Sequence, residues 1–313
     1  MATINRQSKI SNRQLHVGNR KLAMAQLRAT LRQGLQTLLA HQVPSAHLAA
    51  ELLLMHVLGR DRAYLYTHPE EELPPPDLER YTQLIAERAT GKPSQYITGH
   101  QEFWGLDFEV TPDVLIPRPE TEHMVERVLE LQRQGFAKDA RLRIVDVGTG
   151  SGCIALALAS EFPRAIIFGV DISRAALVVA SRNAVHLNMP ERVKFLQSDL
   201  LTRLLEPDFA GTFDFVLSNP PYVGRQEVDK VQREVRDFEP RLAWGGDLER
   251  GEEVYARLFP QALLALRPGG YAVVEIGYNM RERVLALLGE GWGEIQVTPD
   301  LAGIPRVVSA RKV

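Results

Sequence analysis

A single cysteine, Cys153, stands among 313 residues; this excludes an intramolecular disulfide and any multi-cysteine metal centre, and no metal is expected. No apolar run approaches bilayer-spanning length, so no membrane partner is expected. Acidic residues are missing from one region: none precedes Glu51, whereas Arg6, Lys9, Arg13, Arg20, Lys21, Arg28 and Arg32 all do. Such a start suits either an organellar leader or a disordered basic tail, and it is too polar for a secretory signal. The helical spacing of Leu27, Leu31, Leu35, Leu38 and Leu39 confines either to roughly the first twenty residues. A disordered basic tail over residues 1–21 is the expectation. Net charge is also small, at −2, and forecasts no general affinity for nucleic acid. What remains, 45% hydrophobic and 24% charged, is ordinary for a globular chain long enough for a large domain beside a smaller one.

Helical periodicity runs from Leu22 to Arg88. Ser45 is placed to cap a helix carrying Leu48, Leu52, Leu53, Val57 and Leu58, Gly59 to stop it, and Pro74, Pro75 and Pro76 to break the pattern before a further helix. This predicts a small helical domain over residues 22–92. The period then shifts towards two: Phe103 and Trp104, then Leu106, Phe108 and Val110, predict a β-hairpin turning at Gly105, within a linker over residues 93–117. Residues 118–313 alternate strand and helix signals and end on two strands, the pattern of a doubly wound α/β sheet.

Three strand ends in that region carry the chemistry. Strand 143–147 runs into Gly148, Thr149, Gly150, Ser151 and Gly152 and then a helix, so backbone can approach a ligand closely and free helix N–H groups face it. The dinucleotide fingerprint would need a glycine where Cys153 stands; the observed spacing suits a nucleoside-bearing ligand without a pyrophosphate. Strand 165–170 ends in Asp171, placed to accept from ribose hydroxyls. Strand 192–196 is followed by Asp199 and Leu200, where Asp199 is placed to accept from an adenine amino group. Each acid alone also suits a loop-end cap. Together, three successive strand ends favour the ligand.

The apolar strand 213–218 is cut off by Asn219, Pro220, Pro221 and Tyr222. Proline donates no hydrogen bond, so an Asn before two prolines offers acceptors suited to a planar –NH2 group, and Tyr222 offers a flat face for it. The same four residues also suit a strand-ending turn. Arg118, Glu120 and Thr121 read, on composition, as the start of a helix whose positive end favours acids.

With these motifs the chain resembles the HemK/PrmC family, protein-(glutamine-N5) methyltransferases of class I peptide release factors. The resemblance rests on Gln95-Tyr96-Ile97, Gly99, Glu102-Phe103, Gly105, the run from Ile116 to Glu122, the glycine loop, Asn219-Pro220-Pro221-Tyr222, Glu239-Pro240, Gly245-Gly246, Gly303 and Arg306. It implies a seven-stranded Rossmann-like class I methyltransferase domain behind a substrate-recognising helical domain. It also implies S-adenosylmethionine as donor and, as acceptor, the glutamine of the Gly-Gly-Gln motif in a class I peptide chain release factor. Gly148, Thr149, Gly150, Ser151, Gly152, Asp171, Asp199, Leu200 and Asn219 would then hold the donor. Asn219, Pro220, Pro221, Tyr222, Arg118 and Glu120 would hold the substrate, with Asn219, Pro220, Pro221 and Tyr222 at the chemistry. Leu200 is aromatic in some family members; leucine gives an apolar shelf without stacking. A cytoplasmic monomer that needs no nucleic acid is expected. A ribosomal-protein glutamine, or an amino group of a nucleic acid, is the alternative acceptor.

Overall fold

The computed structural model describes residues 25–137 and 139–313; the expected basic tail lies outside them. The chain divides into two compact units, Met1–Ala86 and Glu87–Val313. The division falls inside the helix Pro75–Ala89, earlier than residue 92. Arg88 explains the offset: it is buried and paired with Glu234, so the second unit claims the end of that helix.

The first unit packs the helices Leu27–Ala40, Ala46–Leu58 and Arg62–Thr67 with most of Pro75–Ala89. Leu27, Leu38, Leu53, Leu54 and Tyr81 form its interior. Gly34 is required there because a Cβ would lie 2.2 Å from the Tyr81 hydroxyl, which itself donates to the Ala50 carbonyl at 3.2 Å. Three sequence expectations shift. The buried stripe of the first helix is Leu27, Thr30, Gly34 and Leu38, with Leu39 exposed. Ser45 takes a left-handed conformation and caps nothing with its side chain, whereas Gly59 ends the helix as expected. The three prolines launch a helix at Pro75, because proline's fixed φ suits a first turn.

The second unit is built on a seven-stranded sheet: β1 (Arg143–Val147), β2 (Ile166–Asp171), β3 (Val193–Gln197), β4 (Phe213–Ser218), β5 (Leu266–Glu275), β6 (Trp292–Pro299) and β7 (Pro305–Lys312). Their order is β6-β7-β5-β4-β1-β2-β3. β7 runs antiparallel to the other six strands. This is the doubly wound sheet expected from the alternating pattern. β1, β2 and β4 are buried almost throughout, whereas β3, at the sheet edge, is buried only at Val193; helices such as Glu122–Gly135, Cys153–Glu161 and Glu253–Ala265 cover the faces. The order reverses between β1 and β4, and the crevice at their carboxyl ends is where a ligand binds in such a sheet.

The predicted hairpin forms between His100–Phe103 and Leu106–Glu109. Trp104 and Gly105 both take positive φ, 55° and 70°, the signature of a two-residue hairpin turn. It belongs to the second unit. Phe103 and Phe108 are buried and meet edge to face at 6.2 Å, and the Trp104 N–H donates to Glu122 Oε1 at 2.8 Å. Asn183, fully buried, accepts from the Glu109 N–H through Oδ1 and donates through Nδ2 to the carbonyls of Glu109 and Ser151. One amide thus ties the hairpin to the glycine loop.

Candidate active site

Gly148, Gly150 and Gly152 follow β1 with φ of 74°, 55° and 82°, values that β-carbons oppose. The N–H groups of Gly148 and Thr149 both donate to the Val170 carbonyl on β2. The Thr149 hydroxyl donates to Asp146 Oδ2 at 2.6 Å. Gly152 has a second reason to lack a side chain, since a Cβ would lie 3.2 Å from that of Ala180. Asp146 is wholly enclosed, and burial raises its pKa to about 7 against the pull of the Thr149 hydroxyl, with Asp171 adding repulsion. Cys153 begins the next helix; burial pushes its thiol up to about 12, which removes it as a nucleophile.

Asp171 closes β2 and already holds two backbone groups: Oδ2 accepts from Gly150 N–H at 2.9 Å and Oδ1 from Ser173 N–H at 2.8 Å. Each carboxylate oxygen keeps a further lone pair. Burial raises its pKa, opposed by these backbone bonds. Asp199, beyond β3, is half exposed and accepts from Arg257 Nη2 at 2.5 Å. Leu200 follows in a left-handed conformation, φ 50°.

Beyond β4 the Asn219 amide lies between loops: Nδ2 donates to Thr121 Oγ1 at 3.2 Å, and Thr121 Oγ1 donates to Glu275 Oε2 at 2.6 Å. Glu275 ends β5 in full burial, which raises its pKa to about 7; the Thr121 hydroxyl and the Arg306 charge work the other way. Tyr222 packs beside Gly277, whose missing Cβ would lie 3.0 Å from the ring. Arg118 is fixed by Glu239, which accepts from Nη2 at 2.5 Å and from the Ile116 N–H at 3.3 Å. Glu120 is exposed.

These elements enclose a cavity of about 350 Å³, within the range of small-molecule sites. Gly148, Thr149, Gly150, Ser151, Asp171, Asp199, Leu200, Asn219, Pro221 and Arg118 line it. Among the other predicted residues, Gly152, Pro220, Tyr222 and Glu120 are not in its wall. Glu120 and Tyr222 nonetheless lie close enough to bear on the charge of Glu275 and its surroundings. Buried Ser151 Oγ, in the wall of the cavity, makes no hydrogen bond, and a ligand with polar hydrogens suits such an atom. With Asp171, Leu200 and the bare loop backbone it fits an adenosine-bearing molecule. Thr121 and Glu275 were missed in the sequence as a connected pair. The signal was there: a lone carboxylate in the apolar run Val273, Val274, Glu275, Ile276.

A family model described as the PrmC N-terminal domain matches residues 29–99, and one described as the methyltransferase small domain matches residues 130–249. A release factor glutamine methyltransferase of Koribacter versatilis is 51% identical over 288 residues, covering 90% of this chain and 99% of that protein. Its counterpart in Nitratidesulfovibrio vulgaris is 40% identical over 292 residues, covering 92% and 96%. Among solved structures, a 16S rRNA methyltransferase of T. Thermophilus aligns with a TM-score of 0.50 at 22% identity, over 68% of this chain and 50% of that one; this likeness concerns the fold. On the two full-length relatives and the two domain matches together, the chain belongs to the release factor glutamine methyltransferase family.

Proposed function

We propose that this chain transfers a methyl group from S-adenosylmethionine to the side-chain amide nitrogen of the Gly-Gly-Gln glutamine in class I peptide chain release factors. The observation that carries the reading is that Asn219 and the glycine loop line one cavity at the reversal point of the sheet. Family membership gives the reaction its substrate class.

Bound S-adenosylmethionine supplies an electrophilic methyl group; the chain's own residues prepare the acceptor. An amide nitrogen is a poor nucleophile because its lone pair is delocalised into the carbonyl. Asn219 Oδ1 accepts one N–H of the substrate amide and the Pro220 carbonyl the other, which orients the nitrogen and favours the positive charge that develops on it. Pro220 and Pro221 compete for neither bond, having no N–H. The proton leaves the nitrogen to water after transfer.

Gly148, Thr149, Gly150, Ser151 and Gly152 hold the amino-acid and ribose parts of the donor, Asp171 the ribose, and Leu200 gives the adenine an apolar shelf. Asp199 is shared with Arg257, so its reach to the adenine amino group is through its remaining lone pairs. Arg118, held by Glu239, and Glu120 form the rim where substrate enters, beside Tyr222. The helical unit, which ends at Ala86, recognises the release factor, and residues 93–117, part of the second unit, lead into the catalytic region at 118–313. Among the described residues no helix is long and apolar enough to cross a membrane. A cytoplasmic monomer acting without nucleic acid is the working form. Incubation with release factor and labelled donor, followed by peptide mass spectrometry, tests the reading: a single methyl on the Gly-Gly-Gln glutamine is expected, and an unmodified glutamine rejects it.

A further inference from the structure

Thr121 has one hydroxyl proton, and the structure commits it to Glu275 Oε2 at 2.6 Å. A hydroxyl so engaged can only accept in its remaining directions. What it accepts is the Asn219 Nδ2 proton at 3.2 Å; Oδ1 carries no proton and could not take that place. The two ends of a carboxamide diverge from one carbon, so pinning Nδ2 to Thr121 turns Oδ1 away from it, on a residue that borders the cavity. No hydrogen bond is made to Oδ1 among the described residues.

The direction of this chain depends on the carboxylate at its far end. An ionised carboxyl only accepts, and so draws the Thr121 proton towards itself. A neutral one donates to Oγ1, releases the Thr121 proton towards Asn219, and favours the flipped amide, with Nδ2 presented to the cavity where an acceptor is needed. We propose that Thr121 and Glu275 are positioning residues: Glu275, acting through the Thr121 hydroxyl, sets the Asn219 amide with its oxygen towards the substrate amide. The inference rests on the acceptor role given to Asn219 above.

Three separate elements bring these groups together, and both supporting side chains are almost fully buried, Thr121 at 3% and Glu275 at 2% exposure. Their rotamers are therefore held by packing rather than by solvent. The Glu275 backbone carbonyl is itself fixed by the Tyr255 hydroxyl at 2.7 Å. Around the carboxylate, Arg306 and Arg118 favour the anion and Glu120 opposes it. Tyr222, Tyr255 and Cys153 face it as neutral groups, their own pKa values raised chiefly by burial.

The test is single-turnover methylation of a release factor by the full chain, beside donor titration and thermal melting. A parent that modifies no glutamine overturns the acceptor reading, and this inference with it. With an active parent, Thr121→Val is expected to lower the rate roughly 10²-fold, the cost of a misplaced group, while donor affinity stays near the parent's and Tm falls, because the buried Glu275 carboxyl loses a hydrogen-bond donor. Thr121→Ser, which keeps the hydroxyl, restores most of that loss. In an Asn219→Ala background Thr121→Val costs less than about twofold, because residues acting as one unit are not additive. Equal losses in both backgrounds, or a parental rate for Thr121→Val, overturn the proposal. Should Thr121→Val fail to fold, Glu275→Gln decides: the parental rate is expected to rise with pH as the buried Glu275 carboxyl, its pKa raised to about 7, loses its proton, and the variant is expected to lack that rise. A rise retained in Glu275→Gln overturns the proposal equally.

Discussion

Asp171 Oδ2 accepts the Gly150 N–H at 2.9 Å, so the end of β2 holds the glycine loop of β1 in place. The acid placed to meet a ribose is thus also a strut for the loop beneath it. Its two bonds come from backbone, and backbone cannot rotate away as a side chain can. That dual use makes the residue sensitive to substitution in a way that a surface acid is not.

Asp171→Ala is expected to weaken S-adenosylmethionine binding by about 1.5–3 kcal/mol, the range for a hydrogen bond to a charged group. Calorimetric titration measures it. Unchanged affinity would remove Asp171 from the donor site.

Much of this arrangement could be read from residue order, and the reason is local. Glycines at φ above 50°, a strand ended by two prolines and an acid closing β2 are each written in consecutive residues. What could not be read joins distant segments: Thr121 with Glu275, Arg257 with Asp199, Arg118 with Glu239. Periodicity carries no information on which loop tops meet. The same limit explains Leu39, which fits the first helix's apolar spacing yet lies 59% exposed: spacing names a stripe, while the partner surface decides how wide it is.

Arg118→Ala separates support from catalysis. Glu239 has a side chain 1% exposed and two hydrogen bonds, one of them from Arg118. Removing the guanidinium leaves a buried carboxylate without its charged partner, at a cost of about 3–5 kcal/mol. Chemical denaturation should show the loss; stability within the error of the parent would make Arg118 a site residue alone.

Gly34→Ala pits two effects against each other. Alanine gains about 1 kcal/mol of helix propensity over glycine. Its Cβ, however, would lie 2.2 Å from the Tyr81 hydroxyl and 2.8 Å from the ring carbon that bears it; overpacking of a rigid ring costs about 1–3 kcal/mol, and the bond to the Ala50 carbonyl is strained as well. Net destabilisation is expected, visible as a lower Tm with donor affinity unchanged. A higher Tm would mean that Tyr81 moves aside without cost.

Asp146 gives stability a pH dependence whose sign follows from burial. Its pKa is raised from 3.8 to about 7 in the folded chain, so the folded state keeps a proton that the unfolded state has released. That contribution is fully present below the unfolded value near 4 and is lost as pH rises through about 7. Asp146→Asn does not titrate. The Tm of the parent minus that of Asp146→Asn should therefore shrink as pH is raised from about 4 to about 7, and a difference that grows would reverse the assignment.

Asn219→Ala is the decisive substitution for the chemistry. It deletes the acceptor proposed for one N–H of the substrate amide and leaves the Pro220 carbonyl to hold the other. Loss of one preorganised hydrogen bond to a transition state lowers rates by about 10²–10³, or roughly 2.7–4 kcal/mol. Donor binding should change much less, because Gly148, Thr149, Gly150, Ser151 and the Asp171 carboxylate all remain in the wall of the cavity. The fold should persist too, since among the described residues Asn219 makes a single side-chain hydrogen bond, to Thr121. Single-turnover methylation run beside donor titration on the same variant separates the two effects. A rate within a few-fold of the parent, or donor affinity lost together with the rate, would show that Asn219 does not position the amide.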